Sequence, residues 1–411
     1  MIMRTKVDCL IFLLLIALNC PVFAADPDYE TVGPVEVETV LPPALLHAAA
    51  YSINAEVVAE DNFYHFSITS DYATYKVASV AMLRQRLFEI ATIAEVRPRL
   101  EGEEARFDRS PGGRRGVDSE HVVDILSDPV GTAAQLLGNI QYNLEQTFDP
   151  GEDDAQQSVG AITRLDLNPS PHKRAAAAQL GVDVYSSNRV LQRLLGTVAD
   201  ARSAGNTRFS FSPLLRNPYR APPFGSGVLE IRLDSRLKNT AGEEINREVS
   251  EALVHMDVPP RTRIGFLTHK AFTPRTRLYF SSFIQLLGPV EHIDWLFEAA
   301  NSATTEADAL AYVNYARMLA SYNLHRPNLT EVITQSRFPT VVTRANAAVL
   351  ALPLDYLAWT ETVGAAATAL GRMREDHALA SFTVLLAGQA SPRARTELAA
   401  RGVKLEGSYS F

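Results

Sequence analysis

The stretch SINAEVVA (52–59), EDN (60–62), FYHFSIT (63–69), SD (70–71) and YATYKVA (72–78) decides the reading of the N-terminal part. Three segments rich in β-branched and aromatic residues are separated by Asp, Asn and Ser, and this pattern predicts three short strands joined by turns. In the middle segment Tyr64, Phe66 and Ile68 fall on one side and Phe63, His65, Ser67 and Thr69 on the other. That is the period-two alternation of a strand with one face on a core. Immediately downstream Val80, Leu83, Leu87, Ile90 and Ile93 recur at helical spacing, with Arg84, Arg86 and Glu89 off the stripe. An amphipathic helix is predicted to lay that stripe on the sheet. Residues 25–96 thus read as a β-β-β-α unit.

Outward from this unit, RPRLEGEEARFDRSPGGRRGVDSE (97–120) is dense in charge, has a Pro-Gly-Gly centre and lacks an apolar period, so a loop or linker is expected. A helix is expected from about Gly131 to Thr147, with a break at Asp149 to Asp154. Residues 121–340 read as mainly helical, with helices at 172–180, 188–204, 243–255, 274–287, 290–303 and 306–322. In the second of these Val190, Leu191, Leu194, Leu195 and Val198 form one stripe, Ser187 is the expected N-cap and Gly205 the stop. The Pro/Gly-rich loop Arg216 to Gly227 leads into Val228 to Leu233, which reads as a strand. From 341 to 411 strands (349–357, 382–387, 403–406) alternate with helices (361–373, 392–401), predicting a small α/β layer with Gly402 as a left-handed C-cap. The fold class is α+β.

Composition narrows the function classes. The 411 residues are 46% hydrophobic and 21% charged, with 39 Lys+Arg against 47 Asp+Glu and a formal net charge of -8. An acidic balance argues against a general phosphate-backbone binder, and no nucleic-acid partner is expected. At the N-terminus Arg4 and Lys6 precede an apolar run from Leu10 to Leu18, followed by Val22-Phe23-Ala24. This is the pattern of a secretory signal peptide over 1–24, and cleavage after Ala24 is expected. An uncleaved anchor, or lipidation at Cys20, are the alternatives. Cleavage removes Cys9 and Cys20, the only cysteines, and with them disulfides, thiolate metal sites and a Cys nucleophile. No later segment is long and apolar enough to span a bilayer, so a soluble periplasmic or secreted protein is expected.

Candidate chemistry is sparse. Glu244, Glu248, Glu251 and His255 share one helix face, a spacing that can serve a divalent cation or simply face solvent. Asp149 to Asp154 lacks the ligand alternation of a calcium loop. Gly225-Ser226-Gly227 is not a nucleophile elbow. His121 with Asp124, and Glu291 with His292, are neighbours in sequence, which does not assemble a triad. No P-loop or G-x-G-x-x-G occurs. Tyr409-Ser410-Phe411 ends on an aromatic, but the helical periods argue against a membrane barrel. No catalytic residue, metal or cofactor is therefore assigned.

LGVDVYSSNRVLQRLL (180–195), with His172-Lys173-Arg174 before it, resembles a family of exported bacterial proteins with no known activity, as does GQASPRARTELAARGVKL (388–405). The resemblance implies export and supplies no reaction. Within it Asp183, Tyr185, Ser187 and Asn188 form either a binding loop or the turn and cap of the next helix. The leading expectation is a non-catalytic binding or scaffold component of the envelope, with another envelope protein as a possible partner. The alternative is a hydrolase whose Asp, Glu and His residues converge from separate segments. A third is a metal-dependent protein using the Glu244 to His255 face.

Overall fold

The structure, a computed structural model, describes residues 28–108, 156–157, 168–203, 228–326 and 328–407. The expected signal peptide, the helix at 131–147, the acidic turn at 149–154, His121 and Asp124, the loop 216–227 and the last four residues all lie outside the described residues.

The architecture is α+β. The N-terminal sheet contains β1 (Val35–Glu36), β2 (His47–Ala48), β3 (Tyr51–Ile53), β4 (Glu56–Glu60), β5 (Phe63–Ser70), β6 (Thr74–Ala78) and β7 (Gln156–Gln157), with short helices α1 (Val37–Val40) and α2 (Pro43–Leu46) between the first two strands. It is organised on β5, which pairs antiparallel with β3 and β4 on one side and with β6 on the other. The stretch expected as one strand from Ser52 to Ala59 is two. Ile53 faces Ile68 and Val58 faces His65, so five steps on one strand oppose three on β5. The extra residues fall around Asn54 and Ala55, and the Ala55 carbonyl turns out to accept from Val37 N at 2.7 Å. Along β5, Tyr64, Phe66 and Ile68 are buried as the alternation requires.

Helix α3 (Val80–Asp108) covers this sheet through Leu83, Leu87, Ile90 and Ile93. It continues past Val96 and through Pro98 to Asp108, where the charge-dense composition predicted a loop. Glu, Arg, Leu and Ala are strong helix formers, and that local propensity outweighs the lack of an apolar period. Part of its polar side is buried as well. Arg86 and Glu89, off the apolar stripe, are 4% and 1% exposed, because α5 (Arg189–Ser203) and the loop before it pack on that face.

The helical middle comprises α4 (Pro171–Leu180), α5, α6 (Val228–Asn239), α7 (Gly242–His255), α8 (Pro260–Thr268), α9 (Pro274–Gln285), α10 (Asp294–Ala300) and α11 (Glu306–His325). Helix α6 replaces the strand expected at 228–233. Leu233 and Leu237, four apart, are buried, while Val228 and Ile231 are 70% and 62% exposed, so the helical period wins over the alternation of VLEIRL. Helix α8 has no counterpart among the expected helices. It ends on a buried cation, Arg277 of α9, which donates to the Phe266 and His269 carbonyls at 3.3 and 2.8 Å and to Asn246 Oδ1 at 3.1 Å. Burial lowers the Arg277 pKa to about 10, and the negative end of α8 supplies compensation in place of a carboxylate.

The C-terminal sheet has the order β14-β12-β10-β9-β8, made of β8 (Leu329–Val332), β9 (Val341–Thr343), β10 (Ala347–Leu352), β12 (Ser381–Leu386) and β14 (Val403–Gly407). The layer begins before residue 341, since β8 pairs antiparallel with β9. Strands β10, β12 and β14 run parallel, connected by α12 (Glu361–Asp376) and α13 (Pro392–Ala400). The strand expected from Val349 to Leu357 stops at Leu352, because Pro353 has no N–H for the ladder. The chain resumes pairing as β11 (Tyr356–Leu357), parallel to β13 (Gln389–Ala390). Gly402 has φ +71°, the left-handed conformation expected after α13.

Asp355 joins the two sheets. Its Oδ2 accepts from Tyr64 N and from Val80 N, the first residue of α3, both at 3.0 Å. In return the Asp355 and Tyr356 amides donate to Asn62 O at 3.1 and 3.2 Å. The Tyr64 and Tyr356 rings stack at 5.9 Å. Burial raises the Asp355 pKa to about 7, against the lowering effect of those two amides and Arg84. Beside this junction Glu30 Oε2 accepts from Trp359 N at 2.5 Å and from Ser391 Oγ at 2.6 Å, tying the start of the described chain to the C-terminal layer.

Candidate functional site

Two polar constellations meet at the first turn of α11, one buried and one open. The buried one is built on the loop between α4 and α5. Asp183 Oδ1 accepts from Tyr185 N at 2.9 Å, forming an Asx turn. Asn188, not Ser187, caps α5: its Oδ1 accepts from Val190 N at 3.1 Å and Leu191 N at 3.3 Å. With Asn188 on those amides, the Ser187 hydroxyl turns to other partners. Gln192 closes the loop by donating to the Val184 and Ser186 carbonyls at 3.0 and 2.8 Å.

Onto this loop α3 brings Arg86 and Glu89. The Arg86 Nη1 donates to Glu89 Oε2 at 2.6 Å, and its Nη2 donates to Ser187 Oγ at 3.0 Å and lies 3.8 Å from Glu306 Oε2. Glu89 also accepts from Ser186 Oγ at 2.6 Å and Asn188 Nδ2 at 3.1 Å. Ser187 Oγ donates to Glu306 Oε2. On the far side of the loop Arg275 reaches Asp183 at 3.9 Å and Asp234 at 3.0 Å, and Tyr279 donates to Asp234 at 2.7 Å.

Among the described residues of this cluster, four carboxylates (Glu89, Glu306, Asp183 and Asp234) face two guanidinium groups (Arg86 and Arg275). Burial, opposed by Arg275 and reinforced by Glu89 and Asp234, raises the Asp183 pKa. Burial, opposed by Arg86 and Ser187 and reinforced by Glu89 and Asp183, raises that of Glu306. Glu306 keeps 24% of its side chain exposed, so the network touches solvent there. Chemically the cluster can lock three segments together, and its Ser187-Glu306 edge presents a hydroxyl to a carboxylate.

The open constellation is a cleft of about 540 Å³ on the opposite side of the α11 N-terminus. Its walls are Asp61 at the β4–β5 turn, Glu298 and Ser302 from α10 and the following loop, Asp308 and Tyr312 of α11, and Gln335, Ser336 and Arg337 between β8 and β9. Asp308 is the N3 residue of a capping box with Thr305, so α11 fixes it. Its Oδ1 accepts from Arg337 Nη2 at 2.9 Å. The Arg337 guanidinium lies 5.8 Å from the Phe63 ring centroid and 5.5 Å from that of Phe338. Ser302 Oγ and Tyr312 OH are 2.9 Å apart on the floor.

The sequence candidates fare unevenly. Asp183, Ser187 and Asn188 are brought together, with Tyr185 buried beside them. Glu244, Glu248, Glu251 and His255 share one face of α7, but Glu248 accepts from Arg236 Nε at 3.1 Å and Glu244 pairs with Arg247 at 3.3 Å. Among the described residues no group of three or more His, Cys, Asp or Glu is placed to hold a metal ion. Glu291 joins β8 through its backbone, and His292 stacks on Trp295 at 4.6 Å. Among the described residues no helix is long and apolar enough to cross a membrane. Gly225-Ser226-Gly227 and Tyr409-Ser410-Phe411 lie outside the described residues. Arg86, Glu89, Glu306 and the cleft residues carry no local signal; the Arg86/Glu89 spacing of three is the one trace.

Comparison of the chain with protein-family models, curated proteins and solved structures gave no match.

Proposed function

We propose that this protein is an exported, non-catalytic binding component of the cell envelope, and that the cleft at the α11 N-terminus is where it meets its ligand. The observation that carries this reading is the way the cleft is held. Its central arginine is fixed by Asp308 and by two aromatic rings, so polar groups from four separate segments face one space in set positions. Preorganisation of that kind reduces the ordering cost of binding. The volume lies in the ordinary range of small-ligand sites, roughly 300–1,000 Å³. The export part rests on Arg4, Lys6, the apolar run 10–18 and Ala24.

The test is native mass spectrometry of the protein recovered from its own envelope fraction, alongside Ser336→Trp, which fills the cleft from an exposed position. The reading expects a chain beginning at Ala25 that carries an extra mass, lost on unfolding and missing from Ser336→Trp. An adduct equally present in both proteins would overturn it.

A hydrolase is the second reading, favoured by the convergence of Glu89, Asp183 and Glu306 from three segments around Ser186 and Ser187. Chromogenic ester, peptide and glycoside substrates decide it. Turnover by the native protein that disappears in both Ser187→Ala and Glu306→Gln would put this reading first.

A further inference from the structure

Resting on the binding reading above, we infer that the cleft's ligand carries a cationic nitrogen, as an amine-bearing molecule or a basic peptide segment does. The charges that line the cleft point to it. Among the described residues four charged groups face it: Asp61, Glu298, Asp308 and Arg337. Asp308 Oδ2 is saturated by Thr304 N (3.0 Å), Thr304 Oγ1 (2.8 Å), Thr305 N (3.0 Å) and Thr305 Oγ1 (3.0 Å). Burial raises its pKa, but these bonds and Arg337 outweigh that and hold it below the usual range, so Asp308 stays ionised and spent. Arg337 donates to the same carboxylate and lies near the rings of Phe63 and Phe338, with 45% of its side chain exposed. Those two charges cancel.

What remains is a pair of carboxylates, one from the β4–β5 turn and one from α10. Asp61 sits on the tip of a two-residue turn, φ +50° and +68° at Asp61 and Asn62, and the tip is anchored by the Asp355 and Tyr356 amides on Asn62 O. Glu298 is exposed on α10, with Thr262 Oγ1 donating to its Oε1 at 3.3 Å. Between them Ser302, Tyr312, Gln335 and Ser336 offer hydroxyl and amide groups. An anion entering this space would meet an uncompensated double negative charge, whereas an ammonium or guanidinium group finds acceptors in both carboxylates.

The experiment is calorimetric titration of the full mature chain with four probes: spermidine, trilysine, neutral acetyl-triglycine amide and citrate. Spermidine or trilysine is expected to bind with one-to-one stoichiometry, and the stronger of the two identifies a polyamine or a peptide as the source of the amine. Asp61→Asn/Glu298→Gln is expected to weaken binding about tenfold, taking roughly three- to fivefold for each exposed ion pair. Raising the salt concentration should weaken it further. Asn tolerates the left-handed backbone at 61 and both positions are exposed, so the variant should melt with the native protein. Binding of the neutral or anionic probe alone, abolished by Ser336→Trp, would overturn the inference and leave the binding reading standing. Amine binding untouched by the double variant would also overturn the inference. Binding that Ser336→Trp leaves intact, or no binding of any probe, would overturn both.

Discussion

Replacing Arg86 by Met removes a buried cation from between Glu89 and Glu306. Its guanidinium donates to Glu89 at 2.6 Å and to Ser187 at 3.0 Å, approaches Glu306 at 3.8 Å and lies 5.5 Å from the Tyr75 ring centroid. Glu89, 1% exposed, would be left with Ser186, Asn188 and Gln85 as neutral donors. Breaking a buried ion pair from one side costs about 3–5 kcal/mol, since the orphaned charge keeps its desolvation penalty. The retained hydrogen bonds put the expected loss near the lower end, about 3 kcal/mol. Arg86→Met/Glu89→Gln, which removes both charges, should lose less than Arg86→Met alone. Urea unfolding followed by far-ultraviolet circular dichroism and by the fluorescence of Trp295 and Trp359 measures all three differences. An Arg86→Met protein within about 0.5 kcal/mol of native, or a double variant worse than the single, would refute the claim that this pair holds α3 to the loop before α5.

Three further outcomes follow from the geometry. Asp355 has its pKa raised to about 7 in the fold from an ordinary 3.8, so ionising it opposes folding: its share of stability is full below about pH 4 and declines as pH rises through 7. Asp355→Asn keeps an acceptor for Tyr64 N and Val80 N, and its melting temperature should exceed the native value at pH 8 and match it near pH 4; equal melting at both would contradict the assignment. Burial lowers the His269 pKa below 6.5, and its Nδ1 accepts from Ala271 N at 3.3 Å, so Nε2 carries the proton toward Asn301 O. Stability contributed there is present above pH 6.5 and lost on acidification, and His269→Gln should flatten that part of the pH-melting curve. Gly388→Ala would place a Cβ 2.0 Å from Asp355 O, backbone against backbone, and should cost at least about 3 kcal/mol in thermal or urea unfolding.

What could be read from the sequence was what repeats locally. The alternation of Tyr64, Phe66 and Ile68 gave β5, the stripe Leu83-Leu87-Ile90 gave α3, and Gly402 gave a cap, each because one residue's neighbours dictate its conformation. Val228 to Leu233 misled because VLEIRL satisfies two periods at once, and only burial of Leu233 and Leu237 against neighbouring helices separates them. Arg86 and Glu89 look like a solvated face until the loop at 182–188 is placed over them. The cleft was wholly illegible: Asp61, Glu298 and Arg337 are unremarkable alone, and only tertiary packing gives them a common space.

The contacts between the N-terminal sheet and the C-terminal layer bear on how the molecule can be assembled. Glu30 meets Trp359 and Ser391 across 329 and 361 residues, and the Tyr64 amide meets Asp355 across 291. Closing loops of that length is entropically uphill until nearly all intervening structure exists. A polypeptide emerging N-terminus first must therefore wait, with the Tyr64 and Val80 amides without this acceptor, for a carboxylate made 291 and 275 residues later. Any shortening before residue 355 leaves the first sheet without the carboxylate that completes it, so the order of synthesis and the order of folding run in opposite directions here.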